Sequence, residues 1–230
     1  MCGRLCTAFL SPEQLKHHFS LDLFAPFTPR YNIAPSLPIP VIRQTESQRS
    51  LSLLTWGLIP HWAKERKSGL YTFNARAETV SEKPTFRAAF KSRRCLIPAS
   101  AFYEWQALPE HKQAYAIRRR DGAPLALAGV WESWFDPATG AQVESCAIIT
   151  VAANAQMQTI HQRMPAILEV EQYRPWLDPQ LRDVTVLQGM LEARAVELDL
   201  LAVSGYVNDA RHEGEGCLQP AGAGSMGGWG

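Results

Sequence analysis

Proline and glycine interrupt this chain so often that no long helix or coiled coil can run through it. Its 230 residues include 16 prolines and 15 glycines. Between the interruptions lie short runs of β-branched, aromatic and aliphatic residues, at 51–58, 71–73, 95–97, 102–105, 115–118, 125–134 and 145–151. Turn signals separate them, most plainly Asp121-Gly122 and Asp136-Pro137-Ala138-Thr139-Gly140. Helices are predicted to be few and short. Ser11-Pro12-Glu13-Gln14 reads as a helix start, with Ser11 as cap, Pro12 in the first turn and Gln14 completing a capping box. Two further short helices are predicted over 154–161 and 190–201. Prolines 26, 29, 35, 38 and 40 predict an extended loop over 26–40. Strands without regular βαβ alternation predict an α+β fold: one domain on a mostly antiparallel sheet with short flanking helices. Eight of the 15 glycines lie in 205–230, so the domain is expected over 2–220 and a disordered, low-complexity tail over 221–230.

Composition narrows the function. A hydrophobic content of 46% fills a real core. Lys+Arg 23 against Asp+Glu 22 leaves a formal charge of +1, which argues against a bulk cationic nucleic-acid binder. Any polyanion must be held by a local patch. No apolar run reaches the roughly 20 residues that span a bilayer. Met1-Cys2-Gly3-Arg4-Leu5 carries no apolar segment of a secretory signal. Five cysteines, at 2, 6, 95, 146 and 217, are odd in number and contain no CxxC pair. A reduced, cytoplasmic chain without structural zinc or cofactor is the expectation.

Four places in the chain can carry chemistry. Removal of Met1 before the small residue Cys2 would leave a 1,2-aminothiol at the N-terminus. Its amine, with a reference pKa of about 7.7, can condense with an aldehyde, and its thiol can then close a five-membered thiazolidine. It could equally serve as a peptidase nucleophile, or be an ordinary residue after the initiator. In an extended chain Asn74, Arg76 and Glu78 share one face and the small Ala75 and Ala77 the other. That polar face suits a phosphorylated ligand, or is a solvated face with an Arg76–Glu78 pair. Glu104 sits among Phe102, Tyr103 and Trp105. Facing inward with Phe102 it would have a raised pKa and serve as general acid and base. With Tyr103 and Trp105 inward instead, it would lie in water. His161 is expected at the end of a short helix capped by Asn154, where it could pass protons, with Arg163 free to meet phosphate. The plainer alternative is a capping His and a surface Arg. Arg87, Lys91, Arg93 and Arg94 form a modest basic cluster, more in keeping with a solvated face.

Taken together, Met1-Cys2-Gly3-Arg4, Arg30-Tyr31-Asn32-Ile33-Ala34-Pro35, Trp56-Gly57-Leu58-Ile59-Pro60 with Trp62, and Asn74-Ala75-Arg76-Ala77-Glu78-Thr79 resemble the SOS-response-associated peptidase (SRAP) family. The resemblance continues through Arg94-Cys95-Leu96-Ile97-Pro98-Ala99, Phe102-Tyr103-Glu104-Trp105, Ile160-His161-Gln162-Arg163-Met164-Pro165 and Val203-Ser204 with Val207-Asn208, all in the family's order. It implies an open, barrel-like β-core and covalent capture of abasic sites in single-stranded DNA. Cys2 would be the cross-linking residue and Asn74 would bind the opened sugar or orient the N-terminus. Glu104 would promote ring opening and reversal, and His161 would move protons during imine formation. Arg76 and Arg163, with Arg4, match phosphate contacts, and Pro35 matches a wedge against the bases. The implied protein is a cytoplasmic monomer, associated with the nucleoid when bound to DNA. Two rivals share these residues: an N-terminal-cysteine (auto)peptidase and a non-catalytic reader of modified bases. Two positions depart from the family: Ser100-Ala101 stand where Asp-Gly is usual, and Ala202 replaces a proline.

Overall fold

The computed structural model describes residues 2–45, 48–66, 72–192 and 196–222. Among them, strands follow in the order β1 (Leu5–Cys6), β2 (Leu23–Phe24), β3 (Pro38–Gln44), β4 (Arg49–Trp56), β5 (Asn74–Arg76), β6 (Arg94–Ala99) and β7 (Ala101–Ala107). β8 (Lys112–Arg119), β9 (Leu125–Phe135), β10 (Gln142–Ala152), β11 (Arg163–Pro165) and β12 (Leu198–Val203) complete them. The helices are α1 (Pro12–Phe19), α2 (Arg87–Ser92), α3 (Val170–Leu177) and α4 (Val184–Gly189).

Strands β10, β9, β6, β3 and β4 pair in sequence as antiparallel neighbours, and β4 returns to β10 in parallel, giving a five-stranded barrel. The closing seam is short: Ser145 opposes Thr55 and Cys146 opposes Trp56. Beyond it β4 and β10 diverge into a groove lined by Pro38, Leu53, Thr55, Gln142, Val143 and Glu144, so the barrel is open along that side. Gly129 lets the wall pack tightly, since a Cβ there would meet Ile97 Cδ1 at 2.6 Å and Cys95 Sγ at 2.9 Å. A second sheet, in the order β1-β7-β8-β12, leans on the barrel. The chain passes from one to the other at Ser100, a single bend between β6 and β7 tied to Cys6 through its backbone N–H and its hydroxyl. The fold is thus α+β and mostly sheet, as the strand pattern predicted.

One buried cation fastens the helices to the barrel. Arg94, 3% exposed at the start of β6, donates to the carbonyls of Phe90 and Lys91 in α2. It also donates to those of Trp176, Asp178 and Leu181 at and after the end of α3. These carbonyls would otherwise be orphaned at two buried helix ends. A guanidinium satisfies five acceptors where an ammonium has three donors. Burial draws its pKa down to about 10, which still leaves it charged at neutral pH.

Several local expectations are corrected. The extended loop stops at residue 37, because Pro38 and Pro40 begin β3. Leu37 O accepts from Trp56 N, so alternate residues 37 and 39 face β4 and the two prolines turn their missing N–H groups away from it. The helix over 154–161 shrinks to a 3₁₀ turn at Met157–Thr159, with Asn154 Oδ1 accepting from Met157 N. No helix fills 190–201: α4 ends at Gly189 and β12 occupies Leu198–Val203, with 193–195 outside the described residues. Of the run 71–73, Tyr71 lies outside the described residues and the strand comes later, as β5. Helices α2, α3 and α4 lie where the sequence pattern predicts none. Ser11 caps α1 as expected, its hydroxyl accepting from Gln14 N at 3.1 Å. All five cysteines are free and buried. From residue 223 onward the expected tail lies outside the described residues.

Replacing Arg94 tests the helix fastening. Arg94→Met strands the five carbonyls and is expected to destabilise the fold by about 3–5 kcal/mol. Arg94→Lys should recover only part of the loss. Urea unfolding read by tryptophan fluorescence measures both; equal stability of wild type and Arg94→Met would refute the assignment.

Candidate functional site

Strand β10 is buried from Ser145 to Val151 and pairs along both edges, so it brings distant segments together. On one side β5 runs parallel, with Ile148 opposite Asn74 and Thr150 opposite Arg76. Where β9 ends, β11 pairs antiparallel, with Ala152 opposite Arg163. Asn74 and Arg76 share a face of β5, as expected, while Ala75 on the other face is 1% exposed against β10. The strand ends at Arg76, however, and Glu78 lies in the following turn. Its partner is Arg163: the guanidinium binds both carboxylate oxygens of Glu78, and Nη2 also donates to Thr150 O at 2.6 Å. The Arg163 bond holds the Glu78 carboxyl below the usual carboxylate range. The alternative of a pair between Arg76 and Glu78 gives way to the Arg163–Glu78 pair, and Arg76 stands exposed.

The second sheet supplies the other half of the site. Leu5 opposes Phe102, and Tyr103 N donates to Arg4 O at 3.0 Å, so the N-terminal segment lies along β7. This edge carries Cys2 into the interior, where it is fully buried. Asn74 Nδ2 donates to Cys2 O at 2.7 Å and ties the two halves together. Asn74 Oδ1 is buried with no partner among the described residues, a cost of about 1–3 kcal/mol for an acceptor. β7 is covered on both faces: Phe102 belongs to the barrel core, and Tyr103 packs with Cys6, Val207 and Cys217 in a second cluster. Glu104 follows Phe102 at strand period and is 3% exposed. Of the two orientations read from the sequence, Glu104 is inward, and Tyr103 is inward as well. Burial pushes the Cys2 thiol up, and the charge of Glu104 adds to the rise. Ser100 forms the bend from β6 into β7 and Ala101 begins the strand, so the unusual pair leaves Glu104 on a regular strand.

His161 closes the arrangement from the other side. It follows the 3₁₀ turn, its N–H donating to Met157 O, and no true helix end stands behind it. Its setting is local instead. His161 Nδ1 faces both the backbone N–H of Arg163, at 2.9 Å, and the Arg163 carbonyl, at 3.1 Å, which fixes the ring against this segment. Gln106 Nε2 donates to Thr159 O at 2.7 Å and fixes this turn to β7. Between them opens a cleft of about 410 Å³ lined by Arg4, Glu104, Trp105, Lys112, His161 and Asn208.

Arg4 is a structural member of this cleft. Its guanidinium donates to Asn32 Oδ1 at 2.7 Å and Val207 O at 2.9 Å and lies over the Trp105 ring. Trp105 Nε1 donates in turn to Asn208 Oδ1 at 2.7 Å. Pro35 is not among the lining residues; it is half-buried in the loop before β3, next to Ser36 at φ 76°. Sequence reasoning did not single out Lys112, whose place at the cleft follows only from β8 pairing with β7, Lys112 opposite Ala107. Asn208 was legible only as part of the family's closing string.

A profile described as SOS response associated peptidase (SRAP) matches residues 1–210. The abasic site processing protein YoqW of Bacillus subtilis (strain 168) is 42% identical over 217 residues, covering 92% of this chain and 96% of that protein. The abasic site processing protein HMCES of Xenopus tropicalis is 31% identical over 223 residues, covering 84% of this chain and 66% of that longer protein. Among solved structures, a protein from Bordetella bronchiseptica aligns with TM-score 0.76 at 27% identity, covering 88% of this chain and all of that one. A protein from Bacteroides thetaiotaomicron aligns with TM-score 0.75 at 28% identity, covering 83% and 85%. With a profile spanning most of its length and relatives this similar, the chain belongs to the SRAP family of abasic site processing proteins.

Proposed function

We propose that this protein traps abasic sites in single-stranded DNA as a thiazolidine cross-link to Cys2, exposed as the N-terminal residue once Met1 is removed. The observation that carries the reading is the setting of Cys2: fully buried, bonded through its carbonyl to Asn74, and close enough to Glu104 for that charge to act on its thiol. An abasic sugar equilibrates between a closed hemiacetal and an open aldehyde. Glu104 shuttles the protons of ring opening. The Cys2 amine adds to C1′, and loss of water, with His161 moving the proton to the departing hydroxyl, gives the imine. The thiol then adds to the C=N carbon: a C–S bond forms, and the thiol proton passes by way of Glu104 to the nitrogen. The sum is aldehyde plus aminothiol giving thiazolidine and one water. Asn74 Oδ1 is suited to accept from the opened sugar or the Cys2 amine. Arg76 binds a backbone phosphate directly, whereas Arg163 does so only by exchanging Glu78, and Pro35 acts on a neighbouring base.

The thiol's raised pKa supports this reading over a cysteine peptidase, which needs a ready thiolate. Addition to an imine begins from a neutral thiol and ends with its proton transferred.

Three outcomes are expected. Intact-mass spectrometry should find active protein beginning at Cys2, and Cys2→Ala should form no denaturation-resistant adduct with an abasic oligonucleotide. A full adduct yield from Cys2→Ala would assign another nucleophile. Glu104→Gln and His161→Ala should each slow single-turnover cross-linking by about 10²–10⁴-fold, Glu104→Gln also slowing reversal. Wild-type rates in both directions for Glu104→Gln would remove it from the mechanism. Finally, an ordinary cysteine is half-ionised near pH 8.5, by approximate reference. The Cys2 thiol, protonated above that range, should alkylate slowly in native protein at neutral pH and quicken only at higher pH. Labelling at the rate of the unfolded chain would mean an activated thiolate and favour the peptidase.

A further inference from the structure

The cleft holds three basic side chains, and two are already committed. Arg4 is bonded to Asn32 and Val207 and stacked over Trp105. His161 is held through Nδ1 against the backbone N–H and carbonyl of Arg163. The third, Lys112, is exposed at the first residue of β8 and makes no hydrogen bond or ion pair among the described residues. Its position is fixed from below. Lys112 opposes Ala107, the next pairs along are Gln113 with Gln106 and Ala114 with Trp105, and Gln113 Nε2 donates to Val203 O at 2.8 Å.

Arg76 and Lys112, both exposed, belong to different halves of the molecule. Arg76 rises from β5 on the barrel side, and Lys112 stands at the end of β8 on the second sheet. Glu104 and His161 line the same cleft as Lys112, and Arg76 follows Asn74, the residue that holds Cys2. A strand whose sugar reaches Cys2 presents a phosphate on each side of that sugar. Resting on the reading that this cleft takes a single strand, we infer that Lys112 binds the backbone phosphate on the second-sheet side of the lesion, opposite the phosphate held by Arg76. A flexible ammonium suits this place because it offers a point charge without demanding the bidentate geometry of a guanidinium. The carboxylate of Glu104 in the same cleft sets a limit on how far the phosphate can enter: the anion is held at the rim, and only the uncharged sugar meets the acid.

The test uses the full chain and a lesion-free single-stranded oligonucleotide, so it reads phosphate binding apart from any cross-link. Lys112→Ala is expected to weaken binding about 5- to 20-fold at low salt and to lower the slope of log affinity against log salt by about 0.7, the share of one phosphate on a single strand. Lys112→Arg should restore most of both. Lys16→Ala, a cation lying over Phe24 on α1, serves as control and should leave the slope unchanged. Unchanged affinity and slope in Lys112→Ala, or an equal loss in the Lys16 control, would overturn the inference. So would a borohydride-trapped adduct mapping to Lys112 in Cys2→Ala, which would make it a nucleophile. If wild type binds the lesion-free strand with the expected Lys112 effect yet forms no abasic adduct, the cross-linking reading fails and this one stands. If wild type binds no single strand, both fail.

Discussion

The site exists because one strand, β10, is paired on both edges. Along its length it meets β9, β4, β5 and β11. Each pairing fixes a different stretch of sequence: Ile148 N to Phe73 O, Ala77 N to Thr150 O, Ala166 N to Ile149 O and Ala153 N to Gln162 O. Residues near 74, 150 and 163 thereby share one end of the barrel. A strand with both edges and both faces covered must be apolar throughout, and Cys146-Ala147-Ile148-Ile149 meets that demand. The polar side chains of the site come from the neighbours that β10 aligns, and β10 itself contributes chiefly backbone.

That division explains what was legible in the sequence. The runs that became β6, β9 and β10 stand out because they are hydrophobic, and Asn74 with Arg76 could be placed on one face by strand period alone. Glu104 was harder. Alternation assumes one wet face, and β7 has none: Phe102 faces the barrel and Tyr103 faces the C-terminal segment. Both orientations read from the sequence assumed that one of the aromatics had to be exposed. The start of β3 was hidden because proline usually marks a loop, yet it is tolerated on the side of a strand that needs no donor. The segment 190–201 has helical composition, but tertiary pairing overrides it: Leu198–Val203 completes the second sheet against β8.

Charge pairing was the least legible layer. A net charge of +1 requires that cations meant for a polyanion be kept apart from the structural ones. Arg94 is spent on helix ends, Arg4 on the C-terminal segment and Arg163 on Glu78. The strings around these residues do not distinguish them from Arg76, because most of their partners lie far away in sequence: Arg4 and Val207 are separated by 203 residues, Arg163 and Glu78 by 85. The pairing of Arg163 with Glu78 is reversible in principle, since the Glu78 side chain is 53% exposed and a phosphate offers the same oxygen geometry. Arg4, by contrast, is bonded to backbone carbonyls that cannot move without unfolding the 3₁₀ turn at Gly205–Asn208.

The burial of Cys2 has opposite effects on the two ends of the proposed reaction. A dry, enclosed thiol is a poor nucleophile by itself, because desolvation and the neighbouring Glu104 charge both favour its protonated form. The same enclosure limits the water that would hydrolyse an imine. A reaction in which the amine attacks first and the thiol second fits such a site. The first step needs only an uncharged amine, and the second is intramolecular, so proximity replaces intrinsic thiolate reactivity. The carboxylate that raises the thiol's pKa is also the base that, in the proposed reaction, relays its proton to nitrogen. As the C–S bond forms, that proton leaves and the repulsion that held the thiol neutral disappears with it. In reverse, Glu104 must return the proton to sulfur, so one side chain governs both how the ring closes and how it reopens.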